Sequence, residues 1–536
     1  MPHVLRKQCL ICVTGIYGCH WKQDELHRNK KIESTWNIVL SCCFVISIFW
    51  FYCWWALLND YSNLNEYLFG KIHRWLDWSV ILLVLAATIF SYFCLLVILA
   101  LCHRAFGIPL YLHWMNKVAV FISALLILIL MVVMRIMWKE EWDTIHMSIQ
   151  VTAPFIHFGA VAALTIVTWL MAKHFFQWKK RVFQIVLFIS YLGLVIFLYL
   201  TPLAISSPCI IEKSKLARKP ALIGHRGAPM LAPENTLMSF KETVECEAST
   251  FETDVKISLD GVPFLMHDRT FERTTDIMDI FPKRVHNNAS SFTWAEIQRL
   301  NAGKWFLKKD PYSTAWSLPK KSREEALKQH VCSLAELLKL AEDNKKSIMF
   351  DLRTPTDKSH PYYNNSHEVV VETIMNSSID HNLILWLPNN KNSTPPGFQQ
   401  VLGDKLDPEI LRRKKIYKIN IRYSNISEAE IRNYAAKNIS TNVYVVNEPW
   451  VFSTLWCAKV NSVTTNACHI FKKMEVPIWH MNPEVYLIIW ITVDSVSFLL
   501  ILLICFIHWP RHRHTRGKKE KYYGVNMHRN TEETIL

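Results

Sequence analysis

The 35 residues ahead of the first apolar run lack the short basic n-region of a cleaved signal peptide, so that run is expected to be retained as a spanning helix. Cys9 and Cys12 lack a second matching C-x2-C pair, which argues against a zinc site in this tail. Reversible palmitoylation and free reduced thiols both stay open for them and for Cys19. Acidic residues fall short of basic ones, 45 against 60, and the resulting charge of +15 invites a nucleic-acid reading. Its distribution argues otherwise. Residues 208–484 carry 37 basic and 32 acidic residues, so only +5 lies there and the other +10 sits in loops and tails. No nucleic-acid partner is expected. The spans show no evident internal repeat, which leaves Asp494 and His157, ionisable groups inside apolar runs, as weak support for transport. A helix-helix hydrogen bond is their plainer reading.

What the chain has in abundance is apolar surface: 51% hydrophobic residues, with 21 Trp and 28 Phe. Six runs are long enough to cross a bilayer as helices, at about 36–58, 78–102, 118–134, 148–171, 182–205 and 485–507. Lys and Arg mark the cytoplasmic flanks of such runs. The N-terminal tail has six, the second loop two, the fourth loop four and the C-terminal tail seven, whereas the first and third loops have two each. Both termini are therefore expected in the cytosol and residues 208–484 outside it. Six Asn-x-Ser/Thr acceptors, at Asn288, Asn364, Asn376, Asn392, Asn425 and Asn438, all fall in that outer segment. So do five cysteines, whose pairing is not readable and one of which is left over. The expected organisation is a cytoplasmic tail (1–35), five spans (36–205), an extracytoplasmic domain (208–484), a sixth span (485–507) and a basic cytoplasmic tail (508–536), its run RHRHTRGKKEK serving as a topology anchor that favours anionic lipid.

The outer segment alternates strand and helix patterns. ALIGHRG is a short apolar run ending in glycine, and Leu237, Phe240 and Val244 follow at helical spacing. FETDVKIS and VPFLMHD flank Asp260-Gly261, a hairpin signal. Thr293 with Glu296, and Ser333 with Glu336, are capping boxes that each start a helix. Further strands are expected at SIMFDLR, LILWLP, IYKINIR, NVYVVN and NSVTTN. This order, over 277 residues, predicts an α/β domain with a parallel sheet, a (β/α)8 barrel being the match in length, inserted between the fifth and sixth spans. Residues 269–332 read as an insertion beside the site, and the polar run 389–415 as a surface loop.

Glu252 and Asp254 are two apart on a predicted strand, so both side chains share one face. Their mutual repulsion is relieved by a divalent cation, and oxygen donors suit Mg²⁺ or Ca²⁺. His225 and His267 each end a predicted strand, which in a barrel puts them at the mouth where active sites sit. Arg226 offers a planar fork for phosphate. Such a set suits phosphoester cleavage, with one imidazole taking a proton from the nucleophile and the other returning one to the leaving oxygen.

At these residues the chain resembles the glycerophosphodiester phosphodiesterase family: HRG, APENT, E-x-D and HD in order, then VVNEP and SVTTN near the end, with the helices of its multipass, six-transmembrane animal subfamily around them. The resemblance implies metal ligands at Glu252 and Asp254 and a third carboxylate on the next barrel strand, where this chain has Asp351. It implies catalytic histidines at His225 and His267, a phosphate contact at Arg226, and Glu234 behind them; His267 is an alternative metal ligand. Where the family has Glu-x-Lys this chain has Asp351-Leu352-Arg353, Arg353 keeping the positive charge; Tyr444-Val445 replaces Trp-Thr, and Thr465-Asn466 replaces Thr-Asp. The expected activity is metal-dependent hydrolysis of glycerophosphodiesters outside the cytosol. Alternatives are an ectoenzyme cleaving lipid anchors or lysophospholipids, and a catalytically weak signalling or interaction protein that keeps the barrel.

Overall fold

In the computed structural model, the described residues are 14–19, 30–106, 110–138, 141–175, 181–387 and 394–532. Cys9, Cys12 and the acceptor Asn392 lie outside them. The apolar runs fold as long helices: α1 (Lys30–Ala56), α2 (Tyr61–Ile72), α3 (Trp78–Phe106), α4 (Trp114–Met137), α5 (Glu141–Phe175) and α6 (Arg181–Leu200). Six stretches among the described residues have the length and composition to cross a membrane: Thr35–Ile72, Trp78–Arg104, Trp114–Met137, Glu141–Trp169, Arg181–Leu203 and Pro483–His508. They match the runs read from sequence, with one difference. The first does not stop near residue 58 but passes through a 3-10 turn, Leu57–Asp60, into α2.

The chain divides into two units, Met1–His146 with Arg218–Glu475, and Met147–Ala217 with Val476–Leu536. In the second, His157 and Asp494 each make a hydrogen bond within the unit. His157 Nε2 donates to the Leu198 carbonyl at 3.0 Å, and Asp494 accepts from the Trp490 indole N–H at 2.7 Å. The first bond joins two helices, and the second lies within the helix Pro483–Glu532.

The first unit holds the barrel. Its elements are β1 (Ala221–His225), α7 (Leu237–Glu245), β2 (Thr250–Ile257), β3 (Pro263–Leu265), α8 (Leu334–Asp343), β4 (Ser347–Leu352), α9 (Ser366–Met375), β5 (Ile384–Trp386), β6 (Gln399–Leu402), α10 (Pro408–Arg413), β7 (Lys418–Arg422), α11 (Glu428–Ala436), β8 (Ser440–Tyr444), α12 (Pro449–Cys457), β9 (Ser462–Thr465) and α13 (Cys468–Lys472). The strands pair in the order β1-β9-β8-β7-β6-β5-β4-β2, and β2 pairs with β1 to close the ring. Those eight strands are parallel; β3 folds back antiparallel on β2 as the Asp260-Gly261 turn requires. The β/α barrel is therefore as expected. Apolar residues of strands and covering helices, including Phe240, Phe251, Leu337, Phe350 and Trp386, form the core between them. Residues 269–332 are an insertion with a small core of its own, built around Phe271, Phe292 and Ile297.

One expectation fails. The run 389–415 is not a surface loop, because it contains β6 and α10. QQVL is short and half polar, so alternation over four residues after a Pro-Pro-Gly turn gave no strand signal. Both capping boxes form, and Ser427 with Glu430 makes a third at the start of α11. Cys246 at the end of α7 is bonded to Cys468 at the start of α13, and Cys332 is a buried free thiol, the cysteine left over.

The barrel and the N-terminal helices of the first unit are joined by a buried amide. Asn59, between α1 and α2, accepts the backbone N–H groups of Asn447 (2.7 Å) and Glu448 (3.1 Å) and donates to the Val445 carbonyl (2.9 Å). Nearby, the buried Tyr423 hydroxyl bonds Asp60 and, at 2.9 Å, Thr144. Asn59→Ala would strand two backbone donors and a carbonyl, each costing about 1–3 kcal/mol when buried and unpaired. A fall in melting temperature of roughly 5 °C or more is expected for the purified full chain; an unchanged value would mean water replaces the amide without loss.

Candidate active site

Register places the site. His225 ends β1 and lies beside Glu252 on β2, while Asp254 lies beside Asp351 on β4. After His225 the chain turns sharply: Arg226 has φ +54° and Gly227 φ +91°. A Cβ at Gly227 would sit 2.3 Å from Ser239 Oγ, so glycine is required there for space as well as conformation. The turn is held by the Arg226 N–H, which donates to the Glu252 carbonyl and carboxylate, each at 3.0 Å. Arg226 itself is 4% exposed. Its guanidinium donates to Glu66 and to Glu234, both at 3.1 Å, and its Nε stands 3.5 Å from Asp254. Glu234 thus lies behind Arg226, the place that the family resemblance implies.

The carboxylates line up as their spacing requires. Asp254 is buried between Arg226 and Arg353, whose Nη2 reaches Asp254 at 3.1 Å and Asp351 at 2.7 Å. Burial pushes the Asp254 carboxyl up, but His267, Arg226 and Arg353 outweigh it and hold it at about 2. Glu252 moves the opposite way: burial and then the Asp254 charge push it well above the carboxylate range. Asp351 is raised too, mainly by burial.

The two imidazoles are supported differently. His225 Nδ1 donates to Asn466 Oδ1 at 2.7 Å, which fixes the tautomer and leaves Nε2 as the basic atom. Burial, then Arg226, lower its pKa to about 3, so the ring is neutral at physiological pH. His267 lies two residues beyond β3, not at the end of a barrel strand as predicted; it reaches the mouth on the hairpin that leaves β2. Its Nδ1 bonds Asp268 at 2.8 Å. Arg273 in turn grips Asp268 through Nε at 2.7 Å and Glu234 through Nη2 at 2.7 Å. Burial raises Asp268, but Arg273 and the His267 bond hold it well below its usual range.

One cavity of about 420 Å³ is lined by His225, Arg226, Glu252, Asp254, His267, Asp351 and Arg353 together. Every catalytic, phosphate-binding and metal-binding candidate named from sequence is in that set. The donors suit a hard cation: three carboxylates on adjacent strands, with the buried Asp254 Oδ2 accepting no hydrogen bond. They are not drawn into a tight triad, however. The groups whose donor atoms all lie within 4.8 Å of one another, among the described residues, are Glu66–His267–Asp268 and His73–Glu272–His286.

A model of the glycerophosphoryl diester phosphodiesterase family matches residues 225–470, which begins at His225 and takes in the whole cavity-bearing ring after β1. A Gallus gallus glycerophosphodiester phosphodiesterase domain-containing protein 5 is 44% identical over 92% of this chain and 83% of its own length. A Mus musculus glycerophosphoinositol inositolphosphodiesterase is 42% identical over 93% of this chain and 92% of its own. The chain belongs to the glycerophosphodiester phosphodiesterase family. Among solved structures, an Oleispira antarctica phosphodiesterase in complex with sn-glycerol-3-phosphate is 19% identical and covers 48% of this chain and 96% of its own, with a TM-score of 0.38.

Sequence reasoning missed several residues that shape this family member's site. Glu66 contacts Arg226 although 160 positions separate them, and its loop was read only for topology. Arg273 lies in the insertion, with no periodic signal to mark it. Asn466, noted as a departure from Thr-Asp, is the partner that orients His225. Asp60 and Asn63 also line the cavity.

The buried His225 has a consequence for stability. Its pKa is about 3 folded against 6.5 unfolded, so its contribution is complete above about pH 6.5 and is lost as pH falls toward 3. Glu252 gives the opposite slope but is present in both proteins of a comparison between wild type and His225→Asn. Between pH 6.5 and 4 the melting temperature of wild type is expected to fall more steeply than that of the variant; parallel curves would contradict a neutral, buried His225.

Proposed function

We propose that this phosphoric diester hydrolase cleaves glycerophosphodiesters on the extracytoplasmic side of a membrane, with His225 and His267 as its acid-base pair. The observation that carries the reading is the single cavity shared by both imidazoles, both guanidinia and the three carboxylates. Glu252, Asp254 and Asp351 would hold a divalent cation, Mg²⁺ or Ca²⁺. When bound, the cation supplies Lewis-acid stabilisation of charge developing on the phosphoryl oxygens.

The residues divide the remaining work. Arg226 and Arg353 orient the phosphate, each restrained by carboxylates that keep the fork aimed inward. Neutral His225, with Nδ1 committed to Asn466, takes the proton of the attacking hydroxyl at Nε2. Where the nucleophile is the neighbouring glycerol hydroxyl, its oxygen bonds phosphorus, the P–O bond to the alcohol breaks, and His267 protonates the departing oxygen. Water then opens the cyclic phosphate with the proton transfers reversed. Asp268 keeps His267 Nδ1 engaged, so the other nitrogen faces the substrate. Direct attack by water would use the same groups.

A lipid-linked substrate is the second reading, favoured by one observation. The cavity shares Asp60 and Arg422 with a neighbouring apolar cavity of about 240 Å³, lined by Trp54, Leu57, Leu64, Met134 and Trp138 from the N-terminal helices. An acyl or anchor chain would fit there while the phosphate sits among the histidines.

The purified full chain would be assayed on soluble glycerophosphodiesters, including glycerophosphoinositol, on lysophospholipids and on a lipid-anchored reporter, each with Mg²⁺, Ca²⁺ or chelator. His225→Ala and His267→Ala should each lower turnover by about 100-fold or more, and chelator should abolish it. Undiminished turnover in either variant would sink the acid-base assignment, and preference between the arms separates soluble from lipid-linked substrates.

The proposed topology keeps both termini in the cytosol, with segment 36–205 and segment 485–507 spanning and 208–484 outside. Lys and Arg asymmetry and the sequon distribution support it. Asn364, Asn376, Asn425 and Asn438 are exposed, as acceptors must be, and Asn288 is half-buried. Glycosidase treatment of the chain from animal cells should raise its mobility, and Asn→Gln at those four positions should remove most of that shift; a chain without glycan would count against an outside location.

A further inference from the structure

A second cluster stands apart from the acid-base pair. His73 follows α2, Glu272 and His286 belong to the insertion, and their donor atoms all lie within 4.8 Å of one another. His73 Nδ1 is 2.9 Å from Glu272 Oε2, and His286 Nδ1 is 3.3 Å from the same oxygen. Both nitrogens thus converge on one carboxylate oxygen from different segments. The two imidazoles are exposed, whereas the Glu272 side chain is only 7% exposed.

We infer that His73, Glu272 and His286 form a transition-metal site that takes Zn²⁺ in preference to Mg²⁺ or Ca²⁺. Two imidazole nitrogens and one carboxylate are zinc donors, and hard Mg²⁺ or Ca²⁺ would leave both imidazoles unused. The spacing agrees. Tetrahedral zinc with bonds of about 2.0–2.1 Å separates its donors by roughly 3.3 Å, close to the two distances given above. Exposure of the imidazoles leaves the fourth position to water, as in open zinc sites. His73 is also placed by its backbone: φ is +54°, uncommon for a residue with a side chain, and its N–H closes α2 on the Phe69 carbonyl at 2.8 Å. That conformation turns the imidazole toward the insertion.

The location gives the site a consequence. The three residues line a cleft of about 780 Å³ whose other wall includes Glu66, Arg226 and His267. Zinc would clip the end of α2 to the insertion, and α2 is the helix that carries Glu66 to Arg226. Metal binding at the rim would therefore stiffen the helix that supports the phosphate-binding arginine. This goes beyond the proposed hydrolysis and does not depend on it.

The test is zinc content, independent of turnover. The full chain in detergent would be equilibrated with Zn²⁺ buffered in the micromolar range and excess Mg²⁺, desalted, and analysed by elemental mass spectrometry. About one zinc per chain is expected, retained in Glu252→Gln/Asp254→Asn and lost in His73→Ala and in His286→Ala. Cobalt-loaded wild type should give visible ligand-field bands that both histidine variants lack, and melting curves of the variants check that they fold. Zinc retained by folded His73→Ala and His286→Ala, or lost from the acidic double variant, would overturn the assignment.

Discussion

The site rests on the buried guanidinium of Arg226. It is tied to Glu66 from α2, to Glu234 from the turn before α7 and, at 3.5 Å, to Asp254 from β2. These carboxylates come from three separate parts of the chain. A buried charge is tolerated only when its partners are in place, because the desolvation of each ion is several kcal/mol and one missing partner leaves the others uncompensated. The N-terminal helix, the HRG turn and the second strand are therefore coupled through one buried charge. The barrel alone would lack one of the three counter-charges.

From Arg226 the same coupling runs on. Glu234 is shared with Arg273, Arg273 grips Asp268, and Asp268 holds His267. Charge placed on either guanidinium is felt along the chain of bonds, since low local dielectric strengthens each one. On the opposite side, His225 is governed by burial and by Asn466, and it stays neutral. Two imidazoles in one cavity thus have different neighbours, one an amide and the other a carboxylate.

Much of this was legible because it is local. Period-two spacing put Glu252 and Asp254 on one face, and a strand ending in His-Arg-Gly announced the mouth of a barrel. Asp351 came only from the family resemblance, and the structure sets it beside Asp254 in parallel register. What was hidden depends on contacts distant in sequence. Glu66 sits in a loop read only for its Lys and Arg count, and Arg273 in an insertion without periodicity. His267 was placed in the right cavity for an incomplete reason, since it rides on a hairpin instead of ending a barrel strand. β6 was lost because four residues, two of them glutamine, carry too little pattern to compete with the prolines before them.

That hairpin separates two kinds of constraint. The ring of parallel strands locks His225 to Glu252, so displacing one disturbs its neighbour. His267 answers instead to β3 and to a segment with its own small core. Substitutions in that segment can move the His267 imidazole while every rung of the ring stays paired. The two sides of the cavity can therefore be altered separately, one through the ring and the other through the insertion.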